Sequence, residues 1–229
     1  MSYNSLLSYG DFIPLNVKCE VKKLFDEIKE FSYHQYNPRK DIPRYGMSIT
    51  SLDGKLGGID LDSLIQYNKE NNTNYDESSF KEFTPVYYAS KEIQKICSPF
   101  LGHIVRSHIL WLPQGGYFPP HRDMPFYREH QNSLRILVPL KHCNPPNLYF
   151  MYEDKPLNFE HGRAYFLNTN KQHNLFERMH GIELPTLHLL VAKDQYPHRP
   201  SQPISFHEID PLWRLTNFAA YPHLSAVFF

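Results

Sequence analysis

A histidine and an aspartate two residues apart, His121 and Asp123, stand in the segment PPHRDMPFY. Alternate side chains of a β-strand point to the same face, so both can reach one metal ion from a single strand. The preceding segment PQGGYFPP contains glycines and prolines that turn the chain just before the pair. This context predicts two ligands of a metal site at the mouth of a barrel, where a substrate could reach them.

A third ligand must come from another part of the chain, and His173 is the best candidate. It lies in the run GRAYFLNTNKQHNLF, in which two turns frame the short strand YFLN. Its separation from His121 is long enough for several strands to carry the chain round a barrel. Other histidines compete for the same role, namely His161, His180 and His188.

The chemistry of this donor set is specific. Two imidazoles and one carboxylate on one face of an octahedral ion leave positions open for other ligands, as in non-haem Fe(II) oxygenases. The residues therefore favour an ion that binds a substrate or co-substrate directly.

Four segments, in order GGYFPPHRD, SLRILVPL, LNFEHGRAYFLNT and KQHNLF, resemble the iron- and 2-oxoglutarate-dependent dioxygenases. Within that superfamily they look most like the aspartyl/asparaginyl β-hydroxylase-like branch, which includes bacterial proline hydroxylases. The resemblance covers about residues 103–193. It implies a double-stranded β-helix of the jelly-roll, cupin-like kind, with Fe(II) held by His121, Asp123 and His173.

The same resemblance implies a reaction. Oxidative decarboxylation of 2-oxoglutarate by O2, giving succinate and CO2, would be coupled to hydroxylation of a C–H bond. The resembled branch acts on free amino acids or on peptidyl residues, and the sequence does not separate these substrates. The carboxylate at Asp123 favours hydroxylation, since the halogenating relatives lack it.

An arginine for the distal carboxylate of 2-oxoglutarate is expected, because a guanidinium matches a carboxylate with two parallel hydrogen bonds. In LRILVPL, strand alternation puts Arg135 and Leu137 on one face and Leu134, Ile136 and Val138 on the other. An arginine in so apolar a strand needs an anion, and in the resembled branch an arginine here contacts the co-substrate. The alternative is a structural ion pair with a buried carboxylate such as Glu153.

One departure from the resembled pattern concerns the strand after the last histidine. Many superfamily members have a further arginine there, whereas LPTLHLLVA contains none, and Arg178 lies too close to His173. We expect Arg135 to bind the co-substrate with help from His188, Arg163 or a tyrosine. Arg163 follows a turn glycine and can equally be an exposed hairpin residue.

Substrate contacts are predicted at two places. The first is the PRYGMS loop, with Arg44 and Tyr45. The second is the first barrel strand, where Arg106 and His108 share a face that can line the cavity or point outward.

The elements that must position these residues are mostly strands. Seven short β-rich runs follow His103 without helical periodicity between them, which predicts a mainly β fold with flanking helices. The runs are HIVRSHILWL, GGYFPPH, LRILVPL, NLYFMYE, LNFEHGRAYFL, QHNLFER and LPTLHLLVA. We expect a single domain over 1–229, with the β-core at 101–195 and a proline- and aromatic-rich cover segment at 196–229.

The N-terminal hundred residues predict a layer of helices and loops. Apolar residues spaced by three and four predict an amphipathic helix from Val17 to Phe31, capped by Asn16. The dipeptide Asp53-Gly54 predicts a hairpin. The polar run QYNKENNTNYDESS predicts an exposed connection, and residues 90–96 predict a second short helix.

The composition argues against several classes of binding partner and cellular location. Lysine plus arginine equals aspartate plus glutamate at 24 each, so no global field favours nucleic acid or an anionic membrane. The three cysteines have no metal-ligand spacing, and no apolar run reaches about 18 residues. We therefore expect a cytoplasmic protein without disulfides, and the oligomeric state stays open.

Two alternative functions fit the same residues. A cupin-type hydrolase or isomerase would use His121, Asp123 and His173 to bind Zn²⁺ or Mn²⁺ and activate water. A non-catalytic jelly-roll binding module would have a structural metal site or none.

Overall fold

The structure is a computed structural model that describes residues 6–35, 42–57, 59, 63–113, 115–123, 134–177 and 184–191. In the last of these ranges only the backbone is described. The predicted cover segment at 196–229 lies outside the described residues.

Most of the described strands belong to two antiparallel sheets. The larger sheet has the order β1-β11-β8-β13-β6-β3-β2, and the smaller has the order β10-β9-β12-β7. The strands of the larger sheet are β1 (Phe12–Lys18), β2 (His34–Gln35), β3 (Tyr45–Ser48), β6 (Ile104–Leu112), β8 (Leu134–Pro139), β11 (Arg163–Leu167) and β13 (Leu184–Val191). Those of the smaller sheet are β7 (Tyr117–His121), β9 (Leu148–Tyr152), β10 (Lys155–Pro156) and β12 (His173–Glu177).

From β6 onward the chain passes repeatedly between the two sheets. The seven predicted strand runs coincide with β6, β7, β8, β9, β11, β12 and β13, so the prediction of a mainly β fold with flanking helices is confirmed. The short strand β10, a hairpin partner of β9, was not predicted.

Helices and short elements from the N-terminal part complete the fold. The helices are α1 (Val21–Ile28), α2 (Leu64–Asn71), α3 (Pro85–Ala89) and α4 (Lys91–Cys97), with 3-10 turns at Glu77–Ser79 and Ser98–Phe100. A separate two-stranded sheet joins β4 (Thr50–Ser51) to β5 (Glu82–Phe83). No helix among the described residues is long and apolar enough to cross a membrane.

The predicted helix at Val17–Phe31 was wrong at its start. Val17 belongs to β1, where it alternates with Ile13 and Leu15 as a buried residue, and β1 pairs with β11. The helix begins only at Val21, with Glu20 rather than Asn16 at its N-cap. The apolar residues around Val17 fit both a helix and a strand in which every second residue is buried. Pairing of β1 with β11 favoured the strand over the helix.

Other N-terminal predictions had mixed outcomes. The hairpin at Asp53-Gly54 was wrong, because Thr50–Ser51 pairs instead with the distant Glu82–Phe83. The polar run predicted as a connection contains α2, which has no buried residue, and the turn Glu77–Ser79. The second short helix is confirmed as α4, and the Ser90 hydroxyl caps it by accepting from the Ile93 N–H at 3.1 Å.

Two apolar clusters hold the layers together. One joins the helices to the outer face of the larger sheet, with Leu24, Ile93, Ile136, Val138 and Phe166 among its members. The other joins the two sheets, with Leu137, Phe150, Tyr165, Leu167 and Leu175 among its members. The alternation predicted for β8 is confirmed: Ile136 and Val138 pack toward the helices, whereas Leu137 packs between the sheets.

Candidate metal centre

The structure brings the three predicted metal ligands together at one end of the smaller sheet. His121 ends β7 and His173 begins β12, and the two residues are register partners. Asp123 follows β7, and its backbone N–H donates to the Thr169 carbonyl at 2.9 Å. One ligand atom from each of these side chains lies within 4.8 Å of the other two.

Backbone carbonyls orient both imidazoles. His121 Nδ1 lies 2.7 Å from the Pro119 oxygen, and His173 Nδ1 lies 2.9 Å from the Lys171 oxygen. A carbonyl only accepts, so each Nδ1 carries the proton and each Nε2 keeps its lone pair. Metal-binding histidines are commonly fixed in this way by a second partner.

The protonation states of the histidines also suit a cation. Burial lowers the pKa of His173 to about 4, and burial is also the main cause that lowers the pKa of His121. Both imidazoles are therefore neutral near pH 7, which is the form that binds metals.

Asp123 is a buried carboxylate, 6% exposed. Burial raises its pKa to about 7, against the opposing effect of the Arg135 charge. Its Oδ2 lies 2.8 Å from Arg135 Nε, as an ion pair without hydrogen-bond geometry. A divalent cation would offset the cost of burying this charge, so the donor set fits a metal of the Fe(II), Mn(II) or Zn(II) type.

Arg135 connects the centre to a carboxylate from the N-terminal layer. Its Nη2 lies 3.8 Å from Glu77 Oε2, and Arg106 Nη1 lies 2.9 Å from Glu77 Oε1. The alternative predicted for Arg135, an ion pair with a buried carboxylate, is present, but its partners are Asp123 and Glu77. The suggested partner Glu153 was wrong, because it is exposed and lies 3.4 Å from Lys171. Sequence reasoning missed Glu77, since it stands in a polar run that carries no local signal of burial.

A pocket opens between the two sheets beside the ligands. The lining is mainly apolar, with His121, His173, Arg135 and Thr169 as its polar members. The other lining residues are Leu110, Phe118, Ile136, Leu137, Phe150, Leu167 and Leu175. Such a pocket is typical of sites for small molecules, in which a few polar groups fix orientation.

The two residues predicted for substrate contact on β6, Arg106 and His108, are not among the residues that line the pocket. Burial, followed by the charges of Arg106 and Arg135, holds the pKa of His108 well below its ordinary value. Arg106 adopts a φ of +22° near an irregularity in the pairing of β6 with β13. Bulges of this kind re-aim side chains, and here the arginine meets Glu77.

The two residues predicted for substrate contact in the PRYGMS segment, Arg44 and Tyr45, have different surroundings. Arg44 is buried, with its guanidinium 4.5 Å from the centre of the Phe118 ring, and its charge contributes to lowering the pKa of His121. Tyr45 packs against Trp111 at 5.1 Å between ring centroids. Arg44 is therefore close to the candidate centre, whereas Tyr45, the first residue of β3, packs against an aromatic side chain.

The remaining candidates lie elsewhere. Arg163 Nε donates to the Leu15 carbonyl at 2.9 Å, its Nη1 lies 3.0 Å from Glu160, and it does not line the pocket. His161 Nε2 accepts from the Cys143 N–H at 3.1 Å. The His188 backbone pairs with His108 and Leu137. The side chain of His188 lies outside the described residues, as do His180 and Arg178.

No protein-family model matches this sequence, and no curated protein does either. Among solved structures, the chain is similar to an oxidoreductase of the 2OG-Fe(II) oxygenase family from Burkholderia pseudomallei, with 10% identity, a TM-score of 0.46, and coverage of 83% of this chain and 89% of that one. It is also similar to a Pseudomonas putida prolyl-4-hydroxylase, with 14% identity, a TM-score of 0.46, and coverage of 83% and 96%. Likenesses of this degree leave the assignment of function to the residues of the chain itself.

Proposed function

We propose that this protein is a non-haem Fe(II)- and 2-oxoglutarate-dependent dioxygenase that hydroxylates a C–H bond of an amino acid or peptidyl residue. The observation that carries the proposal is the cluster of His121, Asp123 and His173, with ligand atoms within 4.8 Å of one another, beside a pocket that Arg135 lines. A facial set of two imidazoles and one carboxylate supports an open iron site.

The arrangement of the strands supports the same reading. The larger sheet contains the order β11-β8-β13-β6, and the smaller contains β10-β9-β12-β7. A chain that crosses repeatedly between two such sheets has the connectivity of a jelly roll. We infer that the two sheets close into a double-stranded β-helix. In such a fold the candidate ligands would lie at one end, where loops can meet a substrate.

Each part of the pocket has a distinct task. Bound iron and 2-oxoglutarate would supply, with O2, the oxidising chemistry that yields succinate, CO2 and the hydroxylated product. His121, Asp123 and His173 would hold the iron. Arg135 would bind the distal carboxylate of 2-oxoglutarate through its guanidinium edge. The apolar walls, including Phe118 and Phe150, would exclude water from the reacting atoms.

The mouth of the pocket is where we place the substrate. Arg44 lies against Phe118 beside His121, and that position supports a contact with the substrate rather than with the co-substrate. Arg106 is paired with Glu77, and His108 is buried, with a pKa that burial and the charges of Arg106 and Arg135 hold well below its ordinary value. Because neither residue lines the pocket, we assign neither a contact with the substrate.

The test is an anaerobic titration of the protein with Fe(II) and then 2-oxoglutarate, followed by the visible charge-transfer band of the chelate. The band should appear in the wild type and vanish in Asp123→Ala. Arg135→Ala should require far more 2-oxoglutarate, and Arg163→Ala should match the wild type because Arg163 lies away from the pocket.

Other outcomes would redirect the assignment. Metal binding without the band would overturn the dioxygenase proposal and favour a hydrolase or isomerase that activates water. Equal thermal stability with and without Fe(II) or Mn(II) would favour a binding module, since a ligand of the native state must stabilise it.

A further inference from the structure

We propose that Glu77 is a positioning residue that balances the charge beside the metal centre, favouring the cation and opposing the anionic co-substrate. The part that concerns 2-oxoglutarate rests on the proposed function, whereas the part that concerns the metal does not.

Four of the described side chains form a series of ion pairs in which positive and negative charges alternate, and the last member is the proposed metal ligand Asp123. Arg106 Nη1 lies 2.9 Å from Glu77 Oε1, and Glu77 Oε2 lies 3.8 Å from Arg135 Nη2. Arg135 Nε in turn lies 2.8 Å from Asp123 Oδ2. All four side chains are 12% exposed or less, so water screens their interactions weakly.

Glu77 belongs to the N-terminal layer and not to the β-core, and the turn that carries it is held by hydrogen bonds. It begins a 3-10 turn with a capping box, in which the Asp76 side chain accepts from the Ser79 N–H and the Ser79 hydroxyl accepts from the Asp76 N–H. The two arginines that it joins stand on β6 and β8, which β13 separates in the sheet. A carboxylate held this firmly acts as a fixed charge, not as a surface group that follows its partners.

The sign of the effect follows from Coulomb's law. Replacing the Glu77 carboxylate with an amide removes a negative charge next to Arg135, so the positive potential at Arg135 and Asp123 rises. A divalent cation at Asp123 then binds less tightly, and an anion at Arg135 binds more tightly. A variant that only loosened the fold would weaken both ligands together, so opposite shifts are the signature of charge balance.

The experiment measures two dissociation constants in the full-length protein. Mn(II) binding is followed by the loss of the free-ion signal in electron paramagnetic resonance, and 2-oxoglutarate binding is followed by calorimetry at saturating Mn(II). In Glu77→Gln we expect Mn(II) to bind at least about threefold more weakly and 2-oxoglutarate at least about threefold more tightly. Binding of 2-oxovalerate, which lacks the distal carboxylate, should change much less.

The matched control is Glu160→Gln. Glu160 also joins two cations, Lys18 and Arg163, but on the surface, where its side chain is 48% exposed. Both constants should equal those of the wild type. Glu77→Asp keeps the charge and should restore both constants toward the wild type.

A second variant tests the same idea with the opposite sign. Arg106→Gln removes the cation that offsets Glu77, so Mn(II) should bind more tightly and 2-oxoglutarate more weakly. The measurement on Arg106→Gln still tests the role of Glu77 if the Glu77→Gln variant fails to fold.

Each remaining outcome has one meaning. Shifts of both constants in the same direction, or no shift in either, would overturn the proposal for Glu77. If the wild type binds Mn(II) but not 2-oxoglutarate, the dioxygenase proposal fails, and the Mn(II) constants of Glu77→Gln and Arg106→Gln alone decide the role of Glu77.

Discussion

The carboxylate of Asp123 and the guanidinium of Arg135 form a buried ion pair, with Oδ2 2.8 Å from Nε. The two residues come from different parts of the fold, since Asp123 follows β7 of the smaller sheet and Arg135 lies in β8 of the larger sheet. Arg135 therefore contacts a candidate metal ligand and also lines the pocket. Any change at Arg135 should alter the stability of the metal-free protein as well as the binding of an anion.

Replacement of Arg135 by Met should destabilise the metal-free protein. The change leaves the Asp123 carboxylate buried without its cation, and breaking a buried pair in this way costs about 3 kcal/mol. Chemical denaturation at pH 8, which is above the pKa of about 7 that Asp123 has in the wild type, measures the loss. Mn(II) should raise the unfolding temperature of the variant more than that of the wild type, because the metal supplies the missing charge.

The control for this prediction is Arg122→Met, since Arg122 is exposed between the two ligands. Its stability should stay within about 0.5 kcal/mol of the wild type, as for surface substitutions in general. Equal losses in the two variants would contradict a special role for the Asp123–Arg135 pair.

The choice of His173 over His161 as third ligand can be tested directly. His173→Ala should weaken Mn(II) binding by more than about 100-fold, beyond the range typical of residues that only support a ligand. His161→Ala should leave Mn(II) binding unchanged, because His161 accepts from the Cys143 N–H away from the centre. It should instead cost about 1 kcal/mol of stability by removing that acceptor. Calorimetric titration with Mn(II) and denaturation of both variants provide the comparison, and the reverse order of metal affinities would exclude His173.

The strands of the β-core could be predicted because their local pattern is unambiguous. Leu134, Ile136 and Val138 alternate with Arg135 and Leu137, and each set packs on a different side of the larger sheet. The candidate ligands His121 and Asp123 were also indicated by a local signal, a spacing of two residues next to turn residues, although β7 ends at His121 and Asp123 lies just beyond it. Alternation of side chains along a few residues is enough to predict a strand where the pattern fits no other element.

Contacts between residues far apart in the sequence determined the elements that local patterns could not predict. The apolar residues around Val17 fit a strand and a helix equally well, and pairing of β1 with β11 selected the strand. Thr50–Ser51 pairs with a segment about thirty residues away, so no local turn signal could indicate it. Glu77 meets Arg106 and Arg135 only after the N-terminal layer has packed on the sheet, which is why its polar neighbours suggested an exposed loop.

A glycine next to β7 should prove essential for the position of His121. A Cβ on Gly116 would lie 2.6 Å from the Pro43 carbonyl oxygen and 2.9 Å from that of Pro113, so the backbone must shift. We expect Gly116→Ala to cost about 2 kcal/mol and to weaken Mn(II) binding through displacement of β7. Gly57→Ala is the control, because a Cβ there meets nothing within 4 Å. Thermal unfolding and Mn(II) titration of the two variants should separate them, and equal behaviour would refute the steric argument.

A pH-dependent contribution to stability is expected from Glu92, which joins α1 to α4. Its Oε2 accepts from the Glu20 N–H at 2.9 Å and its Oε1 lies 2.9 Å from Lys23 Nζ. The Glu20 N–H bond, followed by Lys23, holds the pKa of Glu92 below its ordinary value of 4.5. Because the folded-state pKa is depressed, the stabilisation is complete above pH 4.5 and is lost as the pH falls through the lowered value.

Glu92→Gln should therefore cost about 1 kcal/mol at pH 7, the usual value of a helix cap, and little at a pH below the lowered pKa. Denaturant unfolding of the wild type and the variant from pH 7 down to about pH 3 measures the difference. Glu30→Gln, an exposed substitution just beyond α1, should show no such trend. A difference between wild type and Glu92→Gln that stays constant with pH would mean that the amide disturbs packing, and that the charge of Glu92 contributes nothing.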